Sequence, residues 1–579
     1  MKQCATKVRL GESTVIIKND ARQLAVFILT LVIFCAGMAA SMQNRWIALL
    51  ATAVLAIVLL LHVFMNQVSI SRYHVPLVAL PILFLLSSLA TNGLTWFAFG
   101  QVLLFSVPLM AALVMTNQRN SLIVIAIGAV FLALVSLSGE ILPFIRNTIT
   151  PAGFNSSPRV RLQTILWYAN VGAVMFGCGI FALLGIETRN NILRATKWLL
   201  IVLLAVCIFL TGSRTIISFM IVLPLIYVLH TFKAWRAAVV LAFILSSAVV
   251  LILIFNPRLL LVSELAYRFI YWWDAVNAFI NQPLWGLGPE GYVFNIFELQ
   301  SAIYRTRLVH NAFVQIAVDA GVFALIALCC AFAFSLIHNF RINKSIFFIN
   351  LLILLHSFMD SIFIYFPTLF IFGICCSRVC TAEKKAVSVK KRFFMYAAAA
   401  SAALFISVTS LYISVGERFY SVGLGSPYVD GFESPRDAYR RALQVMPQDF
   451  RATIELAWVY ILRSEHENAV ELLMSTDSER FNRGFRYKLL TYAYKGMGCL
   501  DGWNYATLAF LKYAPMYQFA FNERREFLIA AYRSNFINVY EFESEFSLLM
   551  DKAAAVNESL PFLTQFFVER DRAIRLEMP

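Results

Sequence analysis

The chain has 579 residues, of which 60% are hydrophobic and 14% charged, a composition that excludes a soluble globular protein of this size. A formal charge of +15 would suit nucleic acid in a soluble chain, but membrane proteins concentrate lysine and arginine in cytoplasmic loops, and that bias accounts for the excess. Nucleic-acid binding is therefore set aside.

The N-terminal tail, residues 1–23, is basic and lacks a small-residue cleavage site, so the first apolar run reads as a retained helix and not as a removed signal peptide. A bilayer asks roughly 17 to 25 apolar residues of a spanning helix. Thirteen candidates lie within residues 24–415, near 24–40, 46–65, 75–91, 94–115, 121–138, 163–186, 197–212, 214–230, 236–256, 311–337, 346–366, 367–380 and 394–415. The pairs that meet at Gly212 and at Pro367 have almost no loop between them. Cys35, Cys178, Cys207, Cys329, Cys330, Cys375 and Cys376 fall inside these runs, where cysteine behaves as a small hydrophobe, so no disulfide framework or metal site is expected.

With the N-terminus in the cytoplasm, twenty basic residues fall in cytoplasmic segments against nine on the other side before the last span. The positive-inside rule favours this orientation, and an odd number of spans then places everything after Tyr412 outside the cytoplasm. The nine exceptions, Arg45, Arg146, Arg159, Arg161, Arg214, Arg258, Arg268, Arg305 and Arg307, are all arginine. Guanidinium is the planar, bidentate group suited to phosphate, and it keeps its charge beside a low-dielectric bilayer. The cluster suits an anionic, membrane-borne substrate; the alternative is pairing with lipid headgroups or with Glu140, Glu264, Asp274, Glu290 and Glu298.

A long exported loop, residues 257–310, carries several of these arginines. Within it, Gly286-Leu-Gly288-Pro-Glu-Gly291 matches the dinucleotide pattern letter for letter, but no buried strand precedes it and Pro289 interrupts any helix start. A tight turn is expected instead, one that lets the backbone approach a lipid phosphate or another loop. His310 opens the next span beside Asn311, three residues after Arg307, where an imidazole can serve as a general base. Arg214, in Thr211-Gly-Ser-Arg-Thr215, stands at the exported start of another span, a costly place for a charge unless a partner or a function holds it. His356 and Asp360 lie four residues apart in an apolar span, which would let them hydrogen-bond along one helix face. A structural polar pair is the favoured reading there, with a proton relay as the other.

Beyond the last span, residues 416–434 read as a Gly/Ser/Pro linker. Residues 435–579 are polar and helical in period, and the spacing of Ala438, Pro447, Ala457, Tyr460 and Ala469 suits a 34-residue helix-turn-helix repeat. About three tetratricopeptide-like units are expected, the second degenerate, and they would bind a protein partner or pack on the membrane domain.

Several of these stretches, in this order, resemble the O-antigen ligase and polymerase superfamily of integral membrane glycosyltransferases. They are Arg161 with Trp167-Tyr-Ala-Asn170; Thr211-Gly-Ser-Arg-Thr215; Arg268 followed by Trp272 or Trp273; Pro283-Leu-Trp-Gly-Leu-Gly-Pro289; His310-Asn311 with Gln315 and Asp319-Ala-Gly321; and His356-Ser-Phe-Met-Asp360. The resemblance covers about residues 120–380. It implies an all-α polytopic enzyme of the bacterial inner membrane that takes a glycan from a polyprenyl diphosphate carrier and joins it to an acceptor hydroxyl, with inversion and without metal or cofactor. His310 would be the general base, and Arg214 and Arg268 would bind the diphosphate, with Arg161 beside them. Arg305 and Arg307 join this set as neighbours of His310, and Asn311, Gly286, Gly288, Gly291, Asp319, His356 and Asp360 would support it. Asp319 stands where family members often carry Glu, and the simplest ligases lack the repeat domain, which leaves the acceptor open.

A ligase acting on lipid A core, a transferase acting on serine or threonine of an exported protein, and a polymerase extending its own carrier-linked glycan all fit. A transporter or lipid flippase fits less well, because the polar cluster lies at one membrane face and the spans show no clear internal repeat.

Overall fold

The structure, a computed structural model, describes residues 23–40, 44–65, 72–91, 95–141, 162, 164–166, 168–231, 240, 263–302, 304, 306, 308–377, 389–426, 433–447, 449–475 and 483–558. All regular structure among them is helical, and the apolar helices make the chain a polytopic membrane protein. In chain order the helices are α1 (Gln23–Gly37), α2 (Arg45–Met65), α3 (Val75–Ala90), α4 (Trp96–Leu104), α5 (Val107–Val114), α6 (Gln118–Ile141), α7 (Ala169–Gly185), α8 (Asn191–Thr211) and α9 (Arg214–Thr231). Then come α10 (Ser263–Asn281) and the single turns α11 (Gly291–Phe294) and α12 (Ile296–Leu299), followed by α13 (Ala312–Ile342), α14 (Lys344–Ser357), α15 (Phe366–Cys376) and α16 (Val389–Gly425).

Twelve of the thirteen expected spans thus have a helical counterpart, with α4 and α5 forming one broken span; the run at 236–256 lies outside the described residues apart from position 240. The joint at Gly212 is a real break; the other differs from expectation, since α14 ends at Ser357 and residues 358–365 separate it from α15. Gly212 adopts left-handed backbone (φ 61°) between α8 and α9, and Pro367 sits in the first turn of α15, where its missing N–H costs nothing. Side-chain caps set several starts: Thr95 for α4, Asn190 for α8, Asn311 for α13 and Asn343 for α14.

α7 is the central post, buried along most of its length and packed against α6, α8 and α14. α8 instead exposes Ile192, Leu199, Val202 and Phe209, an apolar face suited to lipid. α16 packs on α2 and runs through Gly425, so most of the segment expected to be a linker is helix. Packing decides this against composition: Glu417 is buried near Arg451, and Tyr420 lies against Tyr439.

The C-terminal domain consists of α17 (Glu433–Val445), α18 (Phe450–Leu462), α19 (His466–Ser475), α20 (Arg483–Met497), α21 (Leu500–Tyr513), α22 (Gln518–Arg533) and α23 (Val539–Glu558). Each helix packs on the next. α17, α19 and α21 begin at 433, 466 and 500, intervals of 33 and 34 residues, which is the pitch of a helix-turn-helix repeat.

A buried ionic network joins this domain to the membrane helices. Arg451 reaches Glu417 (2.7 Å) and Asp449 (2.6 Å), while Arg45 lies 3.5 Å from Glu290 and 3.9 Å from Glu417. The two guanidinium groups lie 3.9 and 3.7 Å from the centroid of the Phe97 ring. Arg45, one of the nine arginines set apart by charge, is therefore held by carboxylates, and Glu290 is held in return.

Candidate active site

The start of α7, the segment before α13 and the turn after α14 meet at His310. Its Nδ1 lies 3.1 Å from Asp360 Oδ1. Asp360 is surrounded by donors: Tyr168 O–H (2.6 Å) and Asn170 Nδ2 (2.9 Å) on Oδ2, and the Ser361 N–H (2.9 Å) on Oδ1. A carboxylate so placed accepts and does not donate, so the proton between the pair sits on His310 Nδ1, and in the neutral ring Nε2 is the acceptor. The His310 side chain is 20% exposed and that of Asp360 1%, so the ring can meet a ligand while its orienting carboxylate cannot.

Nε2 faces a hydroxyl. Thr306 Oγ1 lies 3.2 Å away, and its proton has two acceptors in reach, Nε2 and the Leu308 carbonyl at 2.9 Å. An alcohol can thus stand at hydrogen-bond distance from this nitrogen. The backbone at His310 is left-handed (φ 55°), an uncommon state for a residue with a side chain. It is held from both sides: Trp272 Nε1–H donates to the His310 carbonyl (3.3 Å), and the Val309 N–H donates to Gln315 Oε1 (3.0 Å). Gln315 is in turn oriented by Asp319, whose Oδ2 accepts from Nε2 of the glutamine at 2.8 Å. Asp319 thus supports the backbone before His310 through Gln315.

Arg268, on α10, donates to the Met359 carbonyl (2.6 Å), which brings it beside Asp360. Two nearby polar groups turn out to be structural. Asn311 accepts from the Phe313 and Val314 N–H groups as the cap of α13, and Asp274 accepts from Ser301 N–H and Tyr304 O–H. Burial raises the Asp274 carboxyl above its ordinary value, and those two hydrogen bonds oppose the rise.

The glycine turn is followed by a single helical turn with no strand before it among the described residues, and it lies against a break in α13. The Leu287 N–H donates to the Val318 carbonyl (2.6 Å), and the Val322 N–H to the Pro283 carbonyl (2.8 Å). Ser87 Oγ ties both sides together through the carbonyls of Trp285 (2.6 Å) and Asp319 (2.9 Å). Gly286 and Gly321 both have positive φ, and a Cβ on either would fall 2.2 or 2.0 Å from an opposing carbonyl oxygen. Only glycine fits at this crossing. Replacing Gly321 by alanine is expected to cost on the order of 2 kcal/mol or more; a shifted midpoint in detergent-denaturation curves checks it. Gly288 packs against Thr91 and Gly291 against Leu287, so neither faces the imidazole.

Several sequence expectations change accordingly. The Asp360 carboxylate pairs with the His310 ring and not with the His356 ring: His356 and Asp360 are joined through the backbone, the Asp360 N–H donating to the His356 carbonyl (2.9 Å) in the turn that ends α14. His356 is buried, and neither ring nitrogen has a hydrogen-bond partner among the described residues. Arg214 begins α9 with an exposed side chain, and among the described residues no hydrogen bond or ion pair joins it to His310 or Asp360. Arg161, Arg305 and Arg307 lie outside the described residues. Tyr168, Asn170 and Thr306 received no role from sequence; the signal for the first two was a pair of hydrogen-bonding side chains at the mouth of an apolar span.

No curated protein matches the chain. Residues 199–329, which carry Arg214, Arg268, the glycine turn, His310 and Asp319, match the family model described as O-antigen ligase, and this similarity supports a place for the chain in the O-antigen ligase superfamily.

Proposed function

We propose that the protein is a membrane glycan ligase, transferring an oligosaccharide or polysaccharide from a polyprenyl diphosphate carrier to an acceptor hydroxyl at the exported membrane face. The observation that carries this reading is the His310–Asp360 pair, whose Nε2 already has the Thr306 hydroxyl at 3.2 Å, with His310 inside the stretch similar to O-antigen ligases. Nε2 takes the acceptor O–H proton, and the oxygen attacks the anomeric carbon from the face opposite the leaving group. The carbon–oxygen bond to the diphosphate breaks, and the diphosphate leaves with the bonding electrons. Asp360 holds the imidazole in the required tautomer and stabilises the imidazolium that forms. Arg268, with Arg214, neutralises the charge that develops on the leaving diphosphate.

Arg268→Ala is expected to lower the transfer rate about a hundredfold. Initial rates with a lipid-linked donor check this, and a rate within twofold of wild type removes Arg268 from the site. The acceptor is tested by offering lipid A core, an exported serine-rich or threonine-rich polypeptide and the carrier-linked glycan itself to the purified enzyme. The C-terminal helical array favours a polypeptide acceptor as the second reading, because helix-hairpin arrays present extended surfaces suited to proteins. Tetratricopeptide-like character belongs to that reading.

A further inference from the structure

A large open cleft lies away from His310. It occupies about 930 Å³ on the far side of the glycine turn, between the end of α3, the end of α10, α11 to α12 and the first residue of α20. Its polar lining includes Asn281, Gln282, Asn295, Glu298 and Arg483, with Trp285 among them. The membrane domain and the C-terminal domain both contribute walls, so the cleft is incomplete without the C-terminal domain.

The lining selects a class of ligand. The guanidinium is neutralised within the cleft, Arg483 Nε–H donating to Glu298 Oε1 at 2.8 Å, so no net positive charge remains there to hold a phosphate. Leu284, Leu287 and Leu299 add apolar wall between the polar groups, and an acyl chain laid on that wall would strip water from the amides without replacing its hydrogen bonds. The Asn281 and Gln282 side chains are exposed and make no hydrogen bond with another described residue, so each offers a donor and an acceptor to a ligand. Asn295 donates one of its two amide N–H groups to the Gly291 carbonyl (2.8 Å) and keeps its side-chain oxygen as an acceptor. Neighbouring sugar hydroxyls, each donor and acceptor at once, match such amides, and the exposed Trp285 indole offers a flat apolar face for the ring.

The cleft is also coupled to the candidate site. Its floor, Trp285 to Leu287, is bonded to Val318 and to Asp319 through Ser87, and nine residues separate Asp319 from His310, roughly 13 Å at helical rise. A chain of a few sugars spans that distance.

We propose that this cleft is a carbohydrate subsite that holds a neutral stretch of glycan at a distance from the bond being made. Its purpose rests on the transfer reading above; its ligand chemistry does not. The probe is the free oligosaccharide released from the lipid-linked donor by mild acid, tested by saturation-transfer NMR on the full-length protein in detergent. Binding is expected to weaken about tenfold in Asn281→Ala/Gln282→Ala and in Trp285→Ala, and to be unchanged in His310→Ala. The two amide side chains are exposed, so the double variant keeps its fold, which the unfolding midpoint verifies. In transfer assays the same variants raise KM and leave kcat in place, and the substrate whose KM moves, donor or acceptor, identifies the source of the glycan. Oligosaccharide binding equal in wild type and in both cleft variants, or no binding at all, overturns the subsite whether or not transfer occurs. Cleft-dependent binding by a protein that transfers nothing would keep the subsite and discard the ligase reading.

Discussion

His310→Ala is expected to abolish glycan transfer, and Asp360→Asn to bring the rate down by about 10³-fold or more with the fold intact. The second substitution is the sharper of the two. An asparagine in place of Asp360 keeps the volume and, with its oxygen at the Oδ2 position, the bonds from Tyr168 and Asn170. Its amide nitrogen then takes the Oδ1 position, gives up the Ser361 N–H bond and can donate to the imidazole. That inverts the tautomer, puts the proton on Nε2 and leaves the acceptor hydroxyl facing a donor. Tyr168→Phe removes one of the four bonds that hold the carboxylate and is expected to cost far less, about tenfold. Initial rates for the three variants, normalised to folded protein, check the order. Equal rates for Asp360→Asn and wild type would mean that the carboxylate does not set the imidazole's protonation.

Arg451→Ala destabilises the junction between the membrane helices and the C-terminal domain by about 3–5 kcal/mol, the cost of leaving buried carboxylates without their partner. Glu417 and Asp449 are both buried and both depend on this guanidinium, and Arg45 at 3.9 Å is too poorly placed to take over Glu417. Adding Glu417→Gln to Arg451→Ala is expected to return part of the loss, because it removes one orphaned charge. Detergent-denaturation midpoints measure both effects, and limited proteolysis reads the loosening of the junction. A single variant as stable as wild type would show the network to be solvated.

Length and apolar content made the spans legible, since a bilayer imposes one requirement on every helix. The break at Gly212 was legible for a local reason, backbone that does not continue a helix; the early end of α14 at Ser357 was not, and Pro367 marks only the start of the helix that follows. The helical extension through 416–425 was not, because its stability comes from Arg451, Tyr439 and Met446, none of which is near in sequence. His310 stood out by its position next to charge and at a span entrance. Its partner did not: fifty residues separate it from Asp360, and the four-residue spacing to His356 pointed to a side-chain bond where the structure has only a backbone one, Asp360 N–H to the His356 carbonyl. Charge bias selected Arg268, which donates to the Met359 carbonyl beside Asp360, but also Arg45, whose partners come from three distant elements.

The most direct measurement follows carrier and acceptor together. Purified protein is given a polyprenyl diphosphate-linked glycan and an acceptor, and free polyprenyl diphosphate and glycosylated acceptor are quantified over time. With wild type the two are expected to appear in equal amounts, and with His310→Ala neither is expected to appear. Equal product from His310→Ala and wild type, or glycosylated acceptor without released carrier diphosphate, would contradict a transfer in which His310 activates the acceptor.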